Sequence, residues 1–482
     1  MKINSIKSGS LWSMLGQIVN LILGFLLLIF TTRFLGPDQY GLFQTMLTLV
    51  VLSVMVSDFG FSSSVARYVA LHQNSLNRRS IYISNGIFIK LFATILVIVL
   101  LINTLPMLED LLEVNLVGYE TILIFITILR SFREFILKLM QGMRRLDLNA
   151  KFNIFYNIAN TVLATLLLIM NFEIYSLLIS EAILTFFFIM IFMIINKRSD
   201  LFSFQPLNKM VVKDILKYSL PMFFISMSFY LYMKSDTLMV QYYMNNTAVG
   251  LYSLATMIIG KVHMPLVAIG QATGPGLVAL DKDERSTKLK KVIETTLLIT
   301  IPICIGLYVI SEELVLLFFG DEFYQTIKIL QLMCFFLFFY SVNSVLSPTL
   351  DYIGLAKVRA VMVGVSATIN LILNILFIPE FGIHGAVYST LITYTAYSLL
   401  IIFTILKNVI YSSEYQPLFT FFVKTTIISY LMGYLVSFIT KFVYDEVYVL
   451  VTSILTGIII YLILGFIFKI INKTDINYLF SK

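Results

Sequence analysis

The sequence predicts an all-α integral membrane protein of about fourteen transmembrane helices. They form two six-helix lobes related by an internal repeat, with two further helices at the C-terminal end. Three observations carry this. Only 13% of the 482 residues are charged while 59% are hydrophobic; soluble domains average about 25% charged, so this chain lacks the charge to cover a water-facing surface. Long runs rich in Leu, Ile and Phe recur, each close to the ~20 residues that carry a helix across a ~30 Å hydrocarbon core. Finally, short motifs of the first half return in the second at one constant offset.

In order, the runs centre near residues 22, 50, 92, 129, 161 and 185, then near 230, 259, 300, 338, 368 and 394, and last near 429 and 458. None sustains the alternation of barrel strands. "MKINSIKSGS" reads as a short basic, amphipathic lead-in to the first run. No small-residue cleavage site follows it, so no cleavable signal peptide is expected. The eighth run contains "GKVHMP", with Lys261, His263 and a Pro265 expected to bend the helix, and the following "GQATGPG" is expected to bend or end it. Cys304 and Cys334 fall inside the ninth and tenth runs, where they read as small buried apolar residues and not as a disulfide or metal site.

Most of the 34 lysines and arginines lie in loops on the N-terminal side of the membrane, among them Arg78, Arg79, Arg144, Arg145, Lys197, Arg198 and the cluster "DKDERSTKLKK". Lys441 stands alone in the loops of the other side, where "PMLEDLLEVN" and "SEELVLLFFGDE" are acidic. This places both termini in the cytoplasm of a multi-pass plasma-membrane protein. The net charge of +7 is therefore a topology signal, and no nucleic-acid partner is expected.

"SLWSM" at Ser10 pairs with "SLPM" at Ser219, and "YGLF" at Tyr40 with "VGLY" at Val249, each displaced by 209 positions. This divides the chain into an N-lobe (1–205, helices 1–6), a C-lobe (206–410, helices 7–12) and a third segment (411–482, helices 13–14 and a cytoplasmic tail). "NKRSDLFSFQPLNKMVVKDILKYS" becomes the linker. Parallel repeats of this kind are a transporter architecture, with the cavity expected between the lobes.

Charges deep in the runs mark the candidate site, because a lipid-facing central charge costs ~2.5–3.5 kcal/mol or more. The basic ones are Lys90, Arg130, Arg133, Lys138, Lys234, Lys261 and Lys424, and the acidic ones Glu134, Glu181 and Asp236. Arg130, Arg133, Glu134 and Lys138 share one face of the fourth helix, where Arg130 and Glu134 can pair at i, i+4. Lys424 and Lys138 lie near enough to the cytoplasmic face to snorkel. Lys90, with Asn85 near it, is expected to line a cavity. The excess of about four positive charges suits an anionic, plausibly phosphorylated substrate, which guanidinium groups bind well. Purely structural pairing of these charges is the competing reading.

"FTTRFLGPDQYGLFQTMLTLVVLSVMVSDFGFSSSVARYVA" (Phe30 to Ala70) and "GIHGAVYSTLI" (Gly382 to Ile392) resemble the signatures of the polysaccharide flippases of the Wzx type. That family belongs to the superfamily that also holds the lipid II flippases and the multidrug and toxin exporters. The resemblance implies a V-shaped two-lobe transporter that moves an undecaprenyl-pyrophosphate-linked oligosaccharide from the inner to the outer leaflet by alternating access. It implies portals built from helices 1, 2, 7 and 8, on which Lys234, Asp236 and Lys261 fall, with Arg33 and Asp58 near portal ends. Helices 13 and 14 would then offer a groove for the lipid tail. Arg33, Asp58, Glu134, Glu181 and Asp236 become candidates for gating or ion coupling. No cofactor is expected beyond coupling to Na⁺, H⁺ or the membrane potential, and the partners implied are the lipid-linked oligosaccharide, membrane lipids and glycan polymerase machinery.

Three alternatives compete. A cation-coupled multidrug exporter of the same superfamily needs membrane carboxylates, yet the first run, about Leu11 to Thr32, has no Asp or Glu. A membrane enzyme needs a catalytic loop, but the chain has three histidines and no nucleophile elbow, metal spacing or phosphate-cradling glycine loop. A scaffold of a glycan assembly complex would need no charged interior.

Overall fold

The computed structural model describes residues 3–196, 202–273, 280–442 and 446–470. Among these residues the regular structure is all helical, with no strand. A helix satisfies every backbone polar group within its own segment, which lipid requires. The chain divides into two compact units, residues 1–250 and 251–482.

The first unit opens with α1 (Ile3–Asp58), which carries both of the first two expected runs. They are separated at Gly36, whose φ of 66° and ψ of 176° break the helix ahead of Pro37. Glycine adopts that φ without strain, and proline has no N–H to continue the ladder, so "LGPDQ" kinks the chain without a loop. A short α2 (Phe61–Leu71) follows, then α3 (Leu76–Leu112), α4 (Glu120–Gly142), α5 (Leu146–Ile169), α6 (Glu173–Asn196), α7 (Lys209–Tyr243) and the first turn of α8 (Asn246–Thr273). α7, which opens the expected C-lobe, is held in this unit: Tyr230 Oη donates to Thr48 O at 2.6 Å and Ser64 Oγ to Ile215 O at 3.0 Å. α3 is stitched to the segment before α7 by Ser84, which exchanges hydrogen bonds with Gln205, and by Asn85, whose Oδ1 accepts from Asn208 N at 2.8 Å. Of the expected linker, residues 197–201 lie outside the described residues.

The repeat has a physical counterpart inside this unit. Thr247 Oγ1 donates to Asp38 Oδ1 at 3.1 Å across the offset of 209. A Cβ on Gly41 would stand 1.7 Å from Asn246 O, and one on Gly250 would stand 2.0 Å from Pro37 O. Gly41 and Gly250 are repeat equivalents, as are Pro37 and Asn246. Each copy of the motif thus packs its glycine on the other copy's backbone.

The second unit holds α9 (Lys282–Val309), α10 (Ser311–Phe319), α11 (Thr326–Tyr352), α12 (Ala356–Phe381), α13 (Ile383–Asn408), α14 (Tyr415–Thr440) and α15 (Glu446–Ile467). Leu297, Ile301, Val342, Leu346, Tyr397 and Ile401 build its core where α9, α11 and α13 meet. Cys304 and Cys334 are free thiols, both buried, as the apolar reading expects. α8 runs through Pro265 as one helix. The last residues of "GQATGPG", from Gly274, lie outside the described residues.

Eleven helices among the described residues are long and apolar enough to cross a membrane, so this is a multi-pass membrane protein. α4 has a sufficient length of 23 residues, but Arg130, Arg133, Glu134 and Lys138 set it apart from those eleven.

Candidate functional site

The charged stripe of α4 does not act as one group. Arg130 Nε donates to Glu181 Oε1 on α6. The i, i+4 pair with Glu134 expected from spacing does not form, because Glu134 is exposed while Glu181 is buried. A carboxylate withdrawn from water needs a counter-charge, and Arg130 is the one packed against it.

Arg133, one turn along, has a different environment. Its guanidinium carbon lies 4.0 Å from the Tyr156 ring centroid and 5.8 Å from that of Phe188. Nη2 donates to Asn153 Oδ1 at 3.3 Å. Nε is buried without a hydrogen-bond partner. Among the described residues no carboxylate pairs with it, so the aromatic faces of α5 and α6 hold a cation whose charge is not cancelled. Lys138 is half-buried.

Lys90 corrects the sequence reading. Its side chain is 0% exposed and its Nζ donates to Asp58 Oδ1 at 2.8 Å. Ser62 Oγ donates to the same oxygen. Lys90 is therefore enclosed in helix packing, where it had been expected to line open space. Asp58, at the C-terminal end of α1, supplies the charge that makes this burial affordable. Beside the pair, Ser57 Oγ, Ser131 Oγ and Thr94 Oγ1 form a hydroxyl chain with steps of 2.9 and 3.2 Å, joining α1, α4 and α3. With Asp58 counted among the acidic groups, the Lys90, Arg130 and Arg133 cluster of this unit keeps one uncancelled positive charge, that of Arg133, and the excess read from sequence is correspondingly reduced.

The other candidates lie on other helices. Arg33 is exposed on α1 just ahead of the Gly36 break. On α7, Lys234 is half-buried and Asp236 buried. In the second unit Lys261 is half-buried, and His263 is buried, stacked on Tyr340 with centroids 3.7 Å apart and with Nδ1 3.3 Å from Ser341 Oγ. Lys424 is exposed on α14.

Sequence reasoning missed Asn153 and Tyr156. A signal was present: Asn149, Asn153 and Asn157 recur every fourth residue in "LNAKFNIFYNIAN" and so share one face of α5. Asn149 Nδ2 donates to Leu137 O at 3.1 Å, Asn153 Nδ2 to Asn149 O at 2.9 Å, and Asn157 Nδ2 to Asn20 Oδ1 at 2.5 Å. This amide ladder runs from the side of Arg133 to α1.

Known proteins share this architecture. The fold matches a solved structure titled lipid II flippase MurJ, inward closed conformation, with a TM-score of 0.71 and 18% identity over 95% of this chain and 98% of that one. It also matches an inward-facing multidrug resistance MATE family transporter, with a TM-score of 0.62 and 15% identity over 80% and 94% of the two chains. In sequence, the chain is 23% identical over 383 residues to the Haloferax volcanii protein named "Probable low-salt glycan biosynthesis flippase Agl15", covering 78% of this chain and 79% of that one. It is 24% identical over 412 residues to the Shigella flexneri protein named "Putative O-antigen transporter", covering 80% and 94%. The MatE family profile matches residues 221–376. The profile described as polysaccharide biosynthesis protein matches residues 6–281, more than half the chain and all of the α4 cluster, and the chain belongs to that family.

Proposed function

We propose that this protein is a flippase that carries an anionic lipid-linked oligosaccharide, a polysaccharide repeat unit on a polyprenyl pyrophosphate, from the cytoplasmic to the outer leaflet. Family membership and the names of the relatives support the glycan-export setting. The observation that carries the choice of an anionic cargo is Arg133: a guanidinium on a transmembrane-length helix, clamped on Tyr156, with a free Nε and, among the described residues, no carboxylate partner. Such a group offers phosphate a planar donor fork at a site already desolvated. The neutral Arg130–Glu181 and Lys90–Asp58 pairs hold the helices that present it. An inside-negative potential assists outward movement of anions, by about 2.3 kcal/mol per charge per 100 mV. Both termini are cytoplasmic in this reading.

The test is mass spectrometry of lipid-linked glycans in cells carrying Arg133→Ala or Arg133→Lys, with leaflet access probed by a membrane-impermeant reagent. Arg133→Ala is expected to insert normally and to accumulate inward-facing lipid-linked oligosaccharide, with flipping reduced at least tenfold. Arg133→Lys keeps the charge but loses the stack and the fork, and is expected to fall between. Undiminished flipping by Arg133→Ala would remove Arg133 from the cargo path.

The MatE match and the MATE-like fold favour a second reading, export of an organic cation coupled to an ion. A drug-resistance assay separates the two: resistance conferred with an unchanged lipid-linked pool would replace the flippase reading.

A further inference from the structure

An open cleft of about 400 Å³ lies in the second unit, between the start of α14 and the end of α15. That volume falls within the ~300–1,000 Å³ of small-ligand sites. Two lysines from two elements line it, Lys424 of α14 and Lys469 just past α15, together with Ser413, Gln416 and Thr420. Among the described residues no carboxylate lines it. The carboxylate nearest to these residues in sequence, Glu414, is already engaged by Lys290 Nζ at 2.6 Å.

The helical period of α14 brings the polar groups together. Gln416, Thr420 and Lys424 stand four residues apart and so share one face. They span eight residues, about 12 Å of helix. All three are exposed, on a helix long and apolar enough to cross a membrane. Such a stripe is costly against hydrocarbon and favourable against a polar ligand. Thr425, Thr426 and Thr440 of the same helix each donate their hydroxyl to a carbonyl one turn back, at 2.8, 2.8 and 3.1 Å. Thr420 makes no such bond. Among the described residues the side chains of Ser413, Gln416, Lys424 and Lys469 also have no partner within the protein. Lys469 is placed by its backbone: it takes a left-handed φ of 54°, and Ile470 N closes α15 by donating to Gly465 O at 2.9 Å. Ile470 is buried with Leu298 and Ile428, which anchors the turn that presents Lys469.

Two uncancelled ammonium groups facing one cleft, with three uncommitted polar side chains beside them, form an anion site. We propose that the cleft binds a phosphate group, held by Lys424 and Lys469 with donors from Ser413, Gln416 and Thr420. Lysine binds phosphate as a point charge, and hydrogen bonds to an ionised acceptor are about twice as strong as neutral ones. Two sources offer this group, an anionic lipid headgroup and a soluble phosphate, and the test separates them. The inference does not rest on the cargo reading, which uses residues of the first unit.

The test is the acetylation rate of Lys424 and Lys469, mapped by peptide mass spectrometry, with the exposed Lys407 as internal reference. The full chain is labelled in phosphate-free maltoside detergent, alone, with added phosphatidylglycerol, or with added inorganic phosphate. Occupancy is expected to slow both lysines about tenfold relative to Lys407. Slowing by phosphatidylglycerol alone assigns the phosphate to a lipid, and slowing by inorganic phosphate assigns it to a soluble source. Gln416→Leu/Thr420→Val removes two donors, leaves both lysines, and is expected to lose most of the protection. Arg133→Ala is expected to keep it, whatever becomes of the cargo. Thermal unfolding of each variant establishes that it is folded. Protection of neither lysine by either addition would overturn the proposal. So would equal slowing of Lys407, or full protection in Gln416→Leu/Thr420→Val, since either would reduce the effect to general attraction of anions to a basic face.

Discussion

Lys90 is the residue whose surroundings differ most from what its chemistry alone suggests. A lysine with no exposed surface is tolerable only because Asp58 meets it at 2.8 Å with Ser62 on the same oxygen. Removing one member of such a pair leaves an uncompensated buried charge and costs about 3–5 kcal/mol, whereas replacing both by neutral groups of similar shape costs far less. Lys90→Met and Asp58→Asn are therefore each expected to lower the unfolding temperature strongly, and Lys90→Met/Asp58→Asn to recover most of the loss. A double-mutant cycle of thermal unfolding in detergent measures this; additive losses would show the pair to be uncoupled. The sequence supplied both residues, but not their union. They lie 32 positions apart, and Arg130 and Glu181 lie 51 apart. Spacing along one helix favoured Glu134 for Arg130, because local periodicity contains nothing about which neighbour brings a buried carboxylate. Arg133 was legible as an unusual cation, while its clamp on Tyr156 and Asn153 depended on how α5 packs.

Among the elements, hydropathy located the long helices well, since every apolar run must be helical in lipid. It could not resolve α1 into its observed form, in which two runs join through the single left-handed residue Gly36. Nor did it reveal α2 and α10, which at 11 and 9 residues are shorter than any crossing. The 209-residue repeat was legible from Gly41 and Gly250, and its cause is now physical: at both places a helix backbone touches the other copy. Small residues let helices in membranes approach this closely. Gly41→Ala is expected to destabilise the first unit by about 1–3 kcal/mol, the usual cost of overpacking, and Gly250→Ala by a similar amount, because each new Cβ meets a rigid carbonyl and not a flexible side chain. Circular-dichroism melts of the purified protein test this, with Gly364→Ala as the control, since a Cβ there meets nothing within 4 Å. Equal melting of all three would mean that the close approach is not maintained.

At the scale of the whole molecule, charge distribution carries the orientation. Arg78 and Arg79 in the first turn of α3 and Arg144 and Arg145 just after α4 fall at one end of these two helices, and the other end of α3 is acidic, with Glu109, Asp110 and Glu113. Lysine and arginine are retained on the cytoplasmic side during insertion. The residues with the least apolar character are thus the ones that fix which way this chain faces, and with it the direction in which a cargo would move. Cys304 and Cys334 are the two cysteines of the chain, and Cys304→Ala/Cys334→Ala leaves a background without thiols. In it, Asn115→Cys, exposed in the turn between α3 and α4, is expected to react with a membrane-impermeant maleimide in intact cells. Arg78→Cys, exposed at the opposite end of α3, is expected to react only after permeabilisation. The reverse pattern would invert the topology, and the uncancelled charge of Arg133 would then serve inward transport of an anion instead of its export.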